Sequence, residues 1–245
     1  MKASPLEQKE LLRLQAADIK VVQLTHQTKA LPEIAVLKTL GVSLDATKMT
    51  LATRAGERDD VRTELRRIES DVEVVEKRIQ RDTERAQATS SVKDVQALEL
   101  ELTALRKRLL DLEEIEIAVM ERLEEHDASV ATVEAERDVL LDQVAQTEGV
   151  RDAQLVDVNR QLGELVRDRE TVAAGIPTEL AALYQKRRVT GRGNAAALLR
   201  ARTCSGCTMT LTGSDLAEVR QAPADEVIFC PDCGAILVRT EESGI

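Results

Sequence analysis

Four cysteines, the only ones among 245 residues, stand as two Cys-x-x-Cys pairs: Cys204-Ser205-Gly206-Cys207 and Cys230-Pro231-Asp232-Cys233, with twenty-two residues between them. A Cys-x-x-Cys turn aims two thiolates at one point, and two such turns close a tetrahedral shell of the kind zinc prefers. Gly206 and Gly234 let backbone N–H groups turn toward the sulfurs. The alternatives are two disulfides or one redox pair. The N-terminus, with Glu7, Lys9, Glu10 and Arg13 inside its first fourteen residues, has no apolar signal core, and no βαβ pattern surrounds either pair. Zinc on Cys204, Cys207, Cys230 and Cys233 is the expectation. Four protein thiolates leave no position for water or substrate, so a single ion is expected to be structural. A segment of about 40 residues cannot bury enough apolar surface to fold unaided, which makes the metal part of its stability.

The rest of the chain is composed differently. Charged residues make up 32% and aromatics 1%, with no Trp, one Phe (Phe229) and one Tyr (Tyr184). A globular core of this size uses aromatics for bulk. Leu, Val, Ala, Glu and Arg in their place fit long helices joined along a narrow apolar seam. Val61, Leu65, Ile68, Val72, Val75 and Ile79 step by four and three. So do Leu98, Leu102, Leu105, Leu109 and Leu112, continued by Val119, Leu123, Val130, Val133, Leu140 and Val144. Glu116, His126 and Arg137 interrupt the second seam. Between the two lies Arg85–Ser91, small and polar, followed by Ser91 and Asp94 in capping-box spacing.

Two seams about a polar turn predict an antiparallel hairpin over 1–175, turning near 86–93. Folding about residue 88 or 89 pairs Ile79 with Leu98, Leu65 with Leu112 and Pro32 with Ala145. The rival is a parallel dimer running straight through the turn. Pro32 predicts a kink or short break near 30–33. The fold class is therefore mostly α, a long antiparallel coiled-coil hairpin with a small C-terminal zinc ribbon. Ile176-Pro177 opens a short hinge helix over Thr178–Arg188, and a basic linker runs to 202. The ribbon occupies 203–240, with strands over Thr208–Leu211, Val227–Phe229 and Ile236–Val238 and a helix over Leu216–Gln221 capped by Asp215. Residues 241–245 are a tail.

This combination resembles the bacterial coiled-coil proteins with a C-terminal C4-type zinc ribbon. Lys93-Asp94-Val95-Gln96-Ala97-Leu98-Glu99 looks like that family's stretch after the hairpin turn. Ile176-Pro177 with Leu180, Leu183 and Tyr184 looks like its hinge helix, and the two cysteine knuckles look like its ribbon. Thr208 stands where the family often has His, and Ala235 where it often has Arg. The resemblance implies a regulatory protein that binds nucleic acid. Some relatives act in flagellar gene control on an alternative sigma factor and messenger RNA, which makes a sigma factor or the transcription machinery a partner class for the coil.

The net charge of −10 argues against a surface given over to nucleic acid or membrane. Residues 200–245 hold four arginines against seven carboxylates, unlike a phosphate-binding surface. The approach to them differs. Lys186, Arg187, Arg188, Arg192, Arg200 and Arg202 lie within seventeen residues with no acid among them, and Tyr184 at the edge is placed to stack on a base. These seven are the nucleic-acid candidates, for RNA or DNA. The bland alternative is a charge-balancing linker. The hairpin tip, with Arg78, Arg81, Arg85 and Lys93 mixed among acids, is a second docking candidate. His26 and His126 are isolated, and no phosphate loop or triad appears, so no enzyme is expected. The leading function is a zinc-binding regulatory adaptor, cytoplasmic, whose coil binds protein and whose linker binds nucleic acid. Two others stand beside it: a structural interaction rod with a zinc-stapled cap, and a polymerase secondary-channel regulator, whose arms would be shorter.

Overall fold

The structure is a computed structural model and describes residues 1–191 and 193–245. Helix α1 (Pro5–Gln27) begins at a capping box: the Glu7 amide donates to Ser4 Oγ at 3.3 Å and the Ser4 amide to Glu7 Oε2 at 2.6 Å, with proline in the first turn. Of the kink or short break expected near 30–33, the structure has the break. Residues 28–31 are non-helical, and Pro32 opens α2 (Pro32–Ala88). After a three-residue turn, α3 runs over Val92–Ala174, and α4 over Thr178–Thr190. The Asp94 amide donates to Ser91 Oγ at 3.4 Å, so Ser91 closes the turn as its spacing predicts. The chain divides into two compact units, residues 35–148 and residues 1–34 with 149–245.

The first unit is the hairpin. Its buried and half-buried positions reproduce both seams, polar interruptions included. On α2 the seam runs on past Ile79 to Asp82, which is buried, and to Ala86. Cross-arm pairs then set the register. Arg122 forks onto Glu64 with Nη–Oε distances of 3.2 and 3.4 Å, Asp127 lies 3.9 Å from Arg58 and 3.7 Å from Arg62, and Arg78 bonds Glu101. Folding about residue 88 or 89 would put Glu64 opposite Glu113, nine residues short of Arg122 and out of its reach. Moving the pairing by one heptad, so that Ile79 meets Leu105 and Leu65 meets Val119, brings the Glu64, Arg58 and Arg62 pairs within reach, while Arg78–Glu101 beside the turn does not discriminate between the two registers. The hairpin stands; the expected register is corrected by seven residues.

The second unit joins helices to a small sheet. Strands β1 (Ala196–Arg200), β2 (Thr203–Cys204), β3 (Ile228–Phe229) and β4 (Ile236–Val238) lie in the order β2-β1-β4-β3. β1 and β4 are parallel, with Ala196 opposite Ile236 and Leu198 opposite Val238; the two outer pairings are antiparallel. β1 falls within the stretch read as basic linker, and it is one of the sheet's two inner strands, beside β4. The strand expected over Thr208–Leu211 is reduced to one bridge, Thr203 to Thr210. Helix α5 (Gly213–Gln221) starts earlier than predicted, behind Thr212 rather than at Asp215, and no side chain caps it. Glu33, at the start of α2, accepts from Gln154 Nε2 at 2.9 Å, so Pro32 lies near residue 154 and not at Ala145.

The sheet separates two apolar clusters. On one face Ala196, Val227 and Ile236 pack with Leu11 and Leu14 of α1 and Leu180 and Tyr184 of α4. On the other Ala197, Leu199, Leu211, Val219 and Leu237 pack around the cysteines. The chain's first residues join in: the Ala3 amide donates to Asp225 O at 2.8 Å and the Val227 amide to Met1 O at 3.0 Å.

Candidate metal centre

β2 ends on Cys204, and Cys207 follows one tight turn later. Cys230 directly follows β3, and Cys233 precedes the turn into β4. Their four sulfurs lie within 4.8 Å of one another, with Cys204 to Cys233 at 3.9 Å and Cys207 to Cys230 at 3.7 Å. All four are free thiols, which excludes the disulfide alternative in this fold. Tetrahedral zinc with Zn–S near 2.3 Å sets sulfurs about 3.8 Å apart, which the Cys204–Cys233 and Cys207–Cys230 separations match, so the four thiols are a donor set for that ion.

The knuckles are shaped for this. Gly234 has φ +71°, where an L side chain is strained. A Cβ on Gly206 would come within 3.2 Å of the Ala197 methyl. Backbone N–H groups of Gly206 and Cys207 aim at the Cys204 sulfur, that of Met209 at Cys207 and that of Ala235 at Cys233. Burial pushes the Cys204 thiol up to about 12 and raises that of Cys233. At Cys207 burial acts the same way but is outweighed by the Met209 N–H and the neighbouring sulfurs, which leave the thiol lowered. A divalent cation opposes the effect of burial at Cys204 and Cys233, because it favours thiolate over thiol.

The other predicted residues do not gather into one site. Tyr184 is 1% exposed, and its hydroxyl donates to Asp18 Oδ2 at 2.7 Å, so it cannot stack on a base. Burial, then that bond, raise its pKa above the ordinary value. Arg188 pairs with Asp18 at 3.2 Å. Arg187 lies over the Phe229 ring, 4.3 Å from its centroid. Arg200 pairs with Glu242 at 3.2 Å on the surface. Lys186 and Arg202 are exposed; Arg192 lies outside the described residues.

Sequence reasoning missed the polar lock that holds the second unit together. Asp18, 4% exposed, also accepts from Arg169 Nε at 2.6 Å. Gln15 accepts from the Ala195 and Ala196 amides at 2.8 and 3.1 Å and donates to Gly193 O at 2.7 Å. The signal was present: Gln8, Gln15 and Asp18 share the inward stripe of α1 with Leu11 and Leu14. Polar side chains on an apolar stripe mark buried partners.

A coiled-coil hairpin followed in the chain by a four-thiol ribbon defines the class of protein. A family model for the CT398-like coiled coil hairpin domain matches residues 14–192, and one for the C4-type zinc ribbon domain matches residues 203–237. The chain belongs to this CT398-like hairpin family. It is 30% identical over 244 residues to the uncharacterized protein Rv2229c of Mycobacterium tuberculosis, covering 98% of each chain. A solved structure from Mycobacterium smegmatis is similar at a TM-score of 0.86 and 30% identity, over 98% of this chain and 100% of that one. CT398 of Chlamydia trachomatis shares the fold at a TM-score of 0.62 and 18% identity, over 96% and 98% of the two chains.

Proposed function

We propose that the protein is a non-enzymatic adaptor that binds other proteins through its hairpin and whose ribbon is held together by one structural zinc on Cys204, Cys207, Cys230 and Cys233. One observation carries the choice of protein over nucleic acid: the linker cations are dispersed. Arg187, Arg188 and Arg200 are each taken up by a different partner, and the one aromatic among the candidates is buried. A phosphate-tracking groove needs cations side by side and an aromatic face open to bases. Four thiolates leave the ion no open position, so it supplies folding energy and no chemistry. No helix among the described residues is long and apolar enough to cross a membrane. The reading places the protein in the cytoplasm, where thiols stay reduced.

The test is affinity capture of the full chain with and without nuclease, followed by crosslinking. Protein partners that survive nuclease and crosslink within residues 35–148 support the adaptor. Loss of every partner on nuclease treatment, with adducts at Lys186–Arg202, would replace it by the nucleic-acid reading.

A further inference from the structure

Arg187 is held in a way that its neighbours do not explain. Its guanidinium carbon lies over the ring of Phe229, the residue before Cys230. A methyl placed at Gly234, the residue after Cys233, would sit 3.4 Å from its Nη1. The side chain thus spans the second knuckle, from the residue before its first cysteine to the residue after its last. It is half-buried, its Nε is buried without a hydrogen-bond partner, and no carboxylate lies at ion-pair distance among the described residues. Arg188 and Arg200 each have an acid, and Arg239 donates to the carbonyls of Val219, Ala222, Pro223 and Glu226.

A stacked, half-buried guanidinium without an anion costs desolvation energy that the π-face only partly offsets. Zinc on four thiolates carries a net charge of −2, in a site where two of the sulfurs belong to buried residues. That charge needs a cation nearby, and a metal's outer partners act in this way. We propose that Arg187 is the counter-ion of the metal-loaded centre, a positioning residue through which zinc loading holds α4 against the second knuckle. This rests on the zinc reading above and adds a coupling: the helix that precedes the ribbon senses whether the ribbon is loaded.

The test uses the full chain as wild type, Arg187→Gln and Arg187→Lys, each loaded with zinc. Zinc release to a chromophoric chelator is followed, along with the denaturation midpoint of loaded and metal-stripped protein. R187Q is expected to release zinc about tenfold faster, the usual effect of losing an outer partner. It should lower the midpoint of the loaded form only, while R187K keeps most of the wild-type retention. Release from R187Q at the wild-type rate, or equal loss of midpoint in both forms, overturns the proposal. If R187Q does not fold, Phe229→Leu removes the platform without touching the charge; faster release supports the coupling and unchanged release refutes it. Wild-type protein that takes up no zinc at all would instead sink the zinc reading itself.

Discussion

Asp18 and Gln15 show how much a single side chain can hold in this molecule. Asp18 takes two guanidiniums and a phenol from α3 and α4; Gln15 satisfies two amides at the start of β1. Gln15→Leu keeps the volume but leaves those amides buried and unpaired. At about 1–3 kcal/mol for each such group, this is among the most destabilising polar changes in the base, and urea denaturation followed by circular dichroism measures it. Tyr184 adds a pH dependence. Its folded pKa lies above the ordinary value of 10. The unfolded chain therefore loses the proton first, and stability declines as the pH rises past 10. Tyr184→Phe is expected to flatten that decline in melting temperature between pH 9 and pH 11, at a cost of about 1 kcal/mol for the lost hydrogen bond. None of this network was legible as a network. A glutamine, an aspartate and a tyrosine scattered over 170 residues carry no spacing signal, although the polar notches on the apolar stripe of α1 do.

Among the elements, what could be read was set by how the side chains repeat. Both coil seams repeat large apolar residues, so their existence follows from counting. Their mutual register does not, because a heptad pattern matches itself again after seven residues. The seam of α2 continues through Asp82 and Ala86, which a search for large apolar residues passes over, so the cross-arm pairing is counted one heptad short, while the turn itself falls inside the expected 86–93. The ionic flank breaks the tie. Spin labels on Glu64→Cys and Arg122→Cys are therefore expected to sit closer together than labels on Glu64→Cys and Glu113→Cys, the difference reflecting an axial step of about 13 Å. A pulsed-resonance distance in the opposite order would restore the first register. β1 was hidden for a different reason. Ala196 faces one cluster while Ala197 and Leu199 face the other, so the strand is apolar on both sides and shows no alternation. Its alanines and leucines also favour helix. The cysteine pairs were the most readable element, since ligand spacing does not depend on what surrounds it.

For the molecule as a whole, zinc and hairpin are separable contributions. Removing the metal is expected to open the cluster around the cysteines and leave the helices folded. After chelation, far-ultraviolet dichroism should keep most of its helical signal while limited proteolysis cuts within residues 203–240; wholesale loss of helix would show that the hairpin depends on the metal. The unit that carries the ribbon is assembled from both ends of the chain, residues 1–34 and 149–245, with the first three residues bonded to 225–227. On the ribosome this imposes an order. The hairpin segment 35–148 emerges with all its own partners and can zip while synthesis continues. The first helix meanwhile waits for residues 176–236 to cover Leu11 and Leu14, so its apolar stripe is expected to stay open in the nascent chain long after the hairpin segment has emerged.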